Sequence, residues 1–218
     1  MKSSNGTFRA TRLVATTFGI LVGLAGIDHG IFEILQGNVA PDGVMVSAIG
    51  PAQRFWEYGT EVALTLIPNF LISGILSVLI GLLVVVWSIA YIDRKYGAGI
   101  LMLLSLALFL VGGGFAPIFT AILASLTATR MNRPLTFRSA GLAARVRDLL
   151  APIWLGALIA FVVTFFVSVE IAIFGWPLTA FFDADTSFAI LNLLAFIMLG
   201  LMLLSVLTGL AQDSRQRS

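Results

Sequence analysis

The ionisable residues that interrupt the apolar segments are few, and their types and spacing suit ion chemistry. Asp28, the only histidine, His29, and Glu33 lie in the first apolar segment. His29 and Glu33 are four residues apart, so a helix places both on one face, where they can reach one ion or one proton path. Glu57 and Glu61 repeat that spacing downstream. Carboxylates beside one imidazole are typical of a divalent cation site or a proton relay.

Two further polar residues join these candidates. Glu170 lies inside another apolar segment, and Asn69 lies near the start of one. The alternative interpretation is that all these groups cap helices and orient a loop, because placing a polar residue near a membrane interface costs little free energy. The candidate ion or substrate residues are Asp28, His29, Glu33, Glu57, Glu61, Asn69 and Glu170, and the candidate metal ligands among them are His29, Glu33, Glu57 and Glu61.

The composition limits the class of protein. Of the 218 residues, 59% are hydrophobic and only 11% are charged, whereas soluble domains carry charge on roughly a quarter of their positions. The mean hydropathy is +1.02. These values exclude a water-soluble fold and predict one integral membrane domain over residues 1–218. The absence of cysteine excludes disulfides and thiolate metal sites.

Known catalytic signatures are absent from the sequence. It contains no phosphate-binding glycine loop with lysine, no paired-histidine zinc motif and no nucleophile elbow. A divalent metal is therefore the one cofactor that the residues suggest. The net charge is only +2, and the basic residues flank apolar runs, so they indicate membrane topology and no nucleic-acid partner.

Five long apolar segments predict an all-α, polytopic transmembrane bundle, because each reaches the roughly 20 residues that a crossing needs. The third, residues 97–129, contains Gly112-Gly113-Gly114 and Pro117, which favour a break. We therefore expect a hairpin or two short helices there, and five or six crossings in total. An uncleaved first helix is predicted, with a cleaved signal peptide as the alternative. The segments span about Leu13–Leu35, Ile67–Ile92, Gly97–Thr129, Pro152–Gly175 and Ser187–Ala211.

The positions of the basic residues predict the orientation. If the third segment folds back, every Lys and Arg except Arg54 lies on one side of the membrane, which the positive-inside rule assigns to the cytoplasm. Residues 1–12 and 212–218 are then cytoplasmic tails, residues 130–151 a basic cytoplasmic loop, and residues 37–66 an outer loop. The sequence therefore predicts a plasma-membrane protein with both termini inside the cell and the acidic candidates near the outer surface.

Two connecting segments carry further local predictions. In the outer loop, Pro51 suits the first turn of a short helix, which would hold Glu57 and Glu61 on one face. In the basic loop, residues 136–150 place apolar side chains at helical spacing among arginines. This pattern predicts an amphipathic helix that meets anionic lipid headgroups at the inner surface, with a solvated connector as the alternative.

Small residues line one face of the first segment, at Gly19, Gly23, Gly26 and Gly30. They allow another helix to approach closely, either in this chain or in a homo-oligomer or membrane partner. Three functions remain open from the sequence. They are a small transporter with an outward-facing polar cluster, a non-catalytic protein of assembly or lipid interaction, and, as the alternative, a membrane-embedded metal-dependent enzyme.

Overall fold

The computed structural model describes residues 10–131 and 142–216, which form a bundle of seven α-helices with one small β-hairpin. Within these residues, four helical stretches are long and apolar enough to cross a membrane. The all-α class agrees with the prediction, and the four apolar helices indicate a membrane protein. The elements are α1 (Ala10–Gln36), β1 (Met45–Ser47), β2 (Val62–Leu64), α2 (Phe70–Ala90), α3 (Gly97–Leu110), α4 (Phe115–Arg130), α5 (Leu142–Leu150), α6 (Trp154–Phe174) and α7 (Ala184–Arg215).

Helix α1 packs closely against α2 through facing glycines. A Cβ atom on Gly30 would lie 2.7 Å from the carbonyl oxygen of Gly74, and one on Gly23 would lie 2.6 Å from that of Gly81. Only glycine permits this backbone approach. Because Gly30 meets the earlier glycine of α2 and Gly23 the later one, the two helices are antiparallel. The glycine stripe predicted from the sequence is thus used, at these positions, for packing within the chain.

Helix α1 also lies at the centre of the apolar core. It contacts α4, α7, α3 and α6 in addition to α2. Phe18 of α1 and Phe161 of α6 are both fully buried, with ring centroids 4.7 Å apart. The first apolar segment therefore provides the helix around which the others assemble.

Two short helices occupy the third apolar segment. Helix α3 has 14 residues and α4 has 16, or about 21 and 24 Å of helix, less than the roughly 30 Å of a hydrocarbon core. They pack against each other. Between them, Gly112 has a φ of 109° and Gly114 a φ of 82°, values that glycine adopts without the strain of a side chain. We call residues 111–114 the glycine loop.

The connection from α1 to α2 differs from its prediction. The prediction of a short helix beginning at Pro51 is wrong. A single 3₁₀ turn covers Pro51–Gln53, and strands β1 and β2 on either side of it pair as a β-hairpin. The Ala48 N–H donates to the carbonyl oxygen of Glu61 at 2.8 Å, and this cross-strand pairing holds Glu61 in an extended segment. Glu57 and Glu61 consequently do not share a helix face.

The bundle has two distinct ends. At the loop end, residues 37–69 cover the last turns of α1 and α6 and the first turns of α2 and α7. The Trp56 indole N–H, for example, donates to the Ala172 carbonyl at 2.9 Å, and the Tyr58 ring stacks on Phe188. At the opposite, terminal end, the start of α1 meets the last turns of α7.

At the terminal end, Asp213 of α7 caps the first turn of α1. Its carboxylate accepts hydrogen bonds from the backbone N–H of Ala10 at 2.8 Å and of Thr11 at 3.2 Å. Such caps satisfy donors that a helix start leaves open. The exposed Arg12 and Asp93 side chains also pair there, with 3.4 Å between their charged atoms.

Helix α5 lies in the segment predicted to be amphipathic. It packs on α7 and leaves the apolar side chains of Val146 and Leu149 exposed. The remaining part of that prediction, residues 136–141 with Arg138, lies outside the described residues.

Candidate functional site

The carboxyl group of Glu33 is completely enclosed at the loop end. Its side chain has 0% exposure, and its Oε2 atom lies 2.6 Å from the Ser73 hydroxyl of α2. A Cβ atom on Gly112 would lie 2.6 Å from the Glu33 carboxyl carbon, so the glycine loop closes directly over it. Its second oxygen, Oε1, has no hydrogen-bond partner within the described residues.

Hydroxyl groups and one carbonyl surround this carboxyl. The Ser73 Oγ lies 2.7 Å from the Val111 carbonyl oxygen and 2.8 Å from the Thr65 Oγ1. The Ser77 hydroxyl donates to the same Val111 carbonyl at 2.7 Å. Glu33, Thr65, Ser73, Ser77 and Val111 thus form one buried cluster of oxygen atoms, which we call the acid site.

Backbone pairing holds the acid site together. Thr65, just after β2, forms an antiparallel bridge with Val111, and the Leu66 N–H donates to the Leu110 carbonyl at 2.9 Å. A helix that stops inside a membrane protein leaves backbone groups without partners, and these must be satisfied by neighbouring protein or water. Here the hairpin segment provides part of that pairing, and it thereby brings Thr65 to the break.

His29 lies one helical turn before Glu33, under the same loop. Its Nδ1 lies 2.9 Å from the Ala25 carbonyl oxygen. Since a carbonyl only accepts, Nδ1 carries the hydrogen, and in the neutral ring Nε2 carries the lone pair. This Nε2 makes no hydrogen bond within the described residues. A Cβ atom on Gly114 would lie 2.7 Å from the His29 Cε1, so the glycine loop covers this side chain too.

Glu61 is the acidic partner of His29. Its Oε2 lies 3.5 Å from the His29 Nε2, a distance that suits a charge contact better than a hydrogen bond. Burial raises the pKa of the Glu61 carboxyl, but the contact with His29 and the charge of the protonated His29 ring outweigh burial, so the pKa lies below its ordinary value of 4.5. Glu61 has a φ of 47°, in the left-handed region that non-glycine residues rarely occupy.

The seven candidates from the sequence therefore separate into two groups. Asp28, partly buried, interacts electrostatically with His29 and Glu61, so the structure brings Asp28, His29, Glu33 and Glu61 into one region. Glu57 and Glu170 are exposed and lie outside it. Asn69 caps α2, where its side chain accepts from the Ile72 N–H at 3.1 Å and donates to Asn38 at 2.6 Å.

Sequence reasoning missed the hydroxyl groups of the acid site. Ser73 and Ser77 are four residues apart in an otherwise apolar helix, a spacing that places both on one face. That spacing was the available signal. Thr65 gave no comparable signal, because only the bridge to Val111 brings it to the site.

The donor set decides which ions suit this region. Within the described ranges, no three His, Cys, Asp or Glu side chains are arranged to hold a metal ion. The acid site instead offers one carboxyl, three hydroxyls and one carbonyl, which suit a proton or a small monovalent cation better than a transition metal. Comparison with known protein families, curated proteins and solved structures gives no match to this chain.

Proposed function

We propose that this protein is a small multi-pass membrane transporter that binds a proton or small monovalent cation at the acid site. The observation that carries the proposal is the complete burial of Glu33 beneath the glycine loop. Ionisable groups inside membrane helices are costly, and they mark ion pathways and proton relays. Among the described residues, one oxygen of this carboxyl has no hydrogen-bond partner, which a structural cap explains poorly, since structural polar groups are normally satisfied.

The neighbourhood of Glu33 supports this assignment. Transporters commonly place ion sites where a helix is interrupted and where loop carbonyls become available as ligands. The Val111 carbonyl lies at such an interruption, because Val111 directly follows α3 and its carbonyl accepts hydrogen bonds from two serine hydroxyls. An ion at Glu33 would therefore contact the part of the backbone that is least constrained by helical hydrogen bonds.

The proposed orientation has both termini in the cytoplasm of a cell whose plasma membrane holds the protein. The loop end then faces outwards, and α3 and α4 fold back as two short helices with the glycine loop at their outer apex. The charge distribution supports this orientation. Arg12, Arg94 and Lys95 lie at the terminal end with Arg215, while Arg54 lies in the outer loop, as the positive-inside rule requires.

A flux measurement in liposomes tests the proposal. Purified protein is reconstituted into vesicles that contain a dye selective for protons, sodium or potassium, and the gradient of the matching ion is imposed in turn. We expect flux from one of these gradients, and we expect Glu33→Gln to abolish it. Glu170→Gln is the matched control, because Glu170 is also a glutamate in an apolar helix but is exposed. Equal flux in wild-type protein, Glu33→Gln and empty vesicles would refute transport.

A second candidate function is favoured by helix α5. Its exposed Val146 and Leu149 lie beside the exposed Arg145, a combination that suits binding to anionic headgroups at the inner surface. In this case the protein assembles with lipids or membrane partners and needs no ion. The Leu149→Ser variant would then lose anionic lipid on purification, while Glu33→Gln would retain it.

A further inference from the structure

The hydrogens available in the acid site are one too few for its contacts. Four oxygen–oxygen contacts of 2.6 to 2.8 Å join Glu33, Ser73, Thr65, Ser77 and the Val111 carbonyl. Each contact this short needs one hydrogen between its oxygens. The three hydroxyl groups supply three hydrogens, and a carbonyl supplies none. The fourth must come from the carboxyl group.

The position of the missing hydrogen follows from the Ser73 hydroxyl. The Ser73 Oγ has three contacts but only one hydrogen of its own. It must donate that hydrogen to the Val111 carbonyl, which has none of its own, so it accepts a hydrogen bond from the Thr65 hydroxyl. The remaining contact, to Glu33 Oε2, is then satisfied only if that oxygen carries a hydrogen. With it, all four contacts are hydrogen bonds.

From this count we infer that Glu33 is a neutral carboxylic acid in the closed structure and that the ion bound at the acid site is a proton. The inference deepens the proposed transport function, on which its physiological role rests, by naming the ion. A sodium ion does not fit the same arrangement, because oxygens 2.6 to 2.8 Å apart and joined by hydrogens leave no place for a metal between them.

The charged surroundings of Glu33 define where its proton goes. Helices α2 and α3 contain no titratable residue, and α4 contains only Arg130, at its far end. His29 on α1 is the titratable group that interacts with Glu33, and Asp28 on α1 and Glu61 from the outer loop interact in turn with His29. When the His29 ring is neutral, the lone pair on its Nε2 can accept the proton of Glu33, and Glu61, 3.5 Å from Nε2, continues the route towards the loop end.

The proposed step is a simple proton transfer. The O–H bond of Glu33 breaks, its electron pair stays on the carboxylate, and a new N–H bond forms at His29 Nε2. The imidazolium then releases a proton to Glu61 or to water at the loop end, which restores the neutral ring with its hydrogen on Nδ1. The glycine loop covers both side chains, so the transfer takes place beneath it.

Infrared spectroscopy of the purified full-length protein tests the inference. At neutral pH we expect the carbonyl stretching band of a protonated carboxylic acid. The band should shift when the protein is made with glutamate labelled at the carboxyl carbon, and it should disappear reversibly in alkaline buffer. Glu33→Gln should lose this band, and Glu170→Gln should keep it. The labelled wild-type protein allows the assignment to glutamate even if Glu33→Gln does not fold.

The route is tested by the rate at which the band shifts in deuterated buffer. His29→Gln should slow this exchange by about a hundredfold, as expected when a proton-transfer group is removed, while Glu57→Gln should leave it unchanged. A wild-type spectrum without a protonated glutamate band would overturn the proton assignment, even if liposomes showed Glu33-dependent sodium flux. A Glu33 band in protein that transports nothing would instead refute the transport function and leave proton binding intact.

Discussion

The two ends of the bundle handle buried ionisable groups in opposite ways. At the terminal end, the buried Asp213 carboxylate accepts two backbone hydrogen bonds from α1, and the Arg12–Asp93 pair is exposed to its surroundings. At the loop end, the buried Glu33 and His29 each keep one atom without a hydrogen-bond partner within the described residues. At the terminal end, these ionisable groups make structural contacts. At the loop end, Glu33 and His29 keep atoms that could still form a hydrogen bond or bind an ion.

This difference indicates where function is located. A buried ionisable group without a full set of hydrogen-bond partners lowers the stability of the fold, so it is expected at a functional site. The left-handed backbone of Glu61 and the positive φ angles of Gly112 and Gly114 occur at the same end. Variants that affect the two ends can therefore be compared directly.

The largest effect is expected from Gly112→Ala. Its φ of 109° and the 2.6 Å separation between a new Cβ and the Glu33 carboxyl carbon should together cost about 2–4 kcal/mol of stability. Thermal unfolding in detergent measures the loss. Gly99→Ala is the control, because Gly99 is helical with open space around it, and alanine there should leave stability unchanged or slightly raised. Equal melting temperatures for the two variants would contradict the close fit of the glycine loop.

Ser73→Ala should have the next largest effect. It removes the hydroxyl that joins Glu33, Thr65 and the Val111 carbonyl, and leaving these groups without that partner should cost about 1–3 kcal/mol. The matched variant is Ser205→Ala, since Ser205 is equally buried but, in the part of the chain that the structure describes, its hydroxyl bonds only to the Leu201 carbonyl of its own helix. A loss in Ser205→Ala as large as that in Ser73→Ala would show that the acid site has no special role in stability.

A smaller loss is expected from Asp213→Ala at the terminal end. Removing the cap of α1 should cost about 1 kcal/mol, and Asp213→Asn, which keeps one acceptor oxygen, should recover part of it. Liposome flux should not depend on either change, unlike the change at Glu33. Asp93→Asn provides the comparison, because exposed ion pairs contribute little and its melting temperature should match the wild type.

The smallest effect is a dependence on pH at Glu61. Because its pKa is lower in the folded protein than the ordinary value of 4.5, the contact with His29 stabilises the fold above that pH and is lost as the pH falls through the lowered pKa. The contribution should be under about 1 kcal/mol for a partly exposed pair. On acidification, the melting temperatures of the wild-type protein and of Glu57→Gln should therefore fall further than that of Glu61→Gln. Parallel acid profiles would indicate that Glu61 gains nothing from His29.

The sequence supplied one half of the candidate site. The spacing of His29 and Glu33 in an apolar segment is sufficient to place them on one helix face, because helical periodicity is local. The same reasoning failed for Glu57 and Glu61, where cross-strand pairing of the hairpin overrides the helical spacing. Glu170 illustrates a third case, since a residue in a membrane helix can face inwards or outwards and periodicity in an apolar segment does not distinguish these.

The sequence by itself determined the membrane class, the apolar helices and the glycines at residues 112–114, because hydrophobic length and backbone freedom depend on residue type and local order. Only the tertiary structure decided that Thr65, Ser73 and the Val111 carbonyl surround Glu33. These groups come from three separate segments, and their meeting depends on the bridge between Thr65 and Val111 and on the close approach of α1 and α2. Contacts between distant segments follow from the packing of whole elements, which no local pattern of residues specifies.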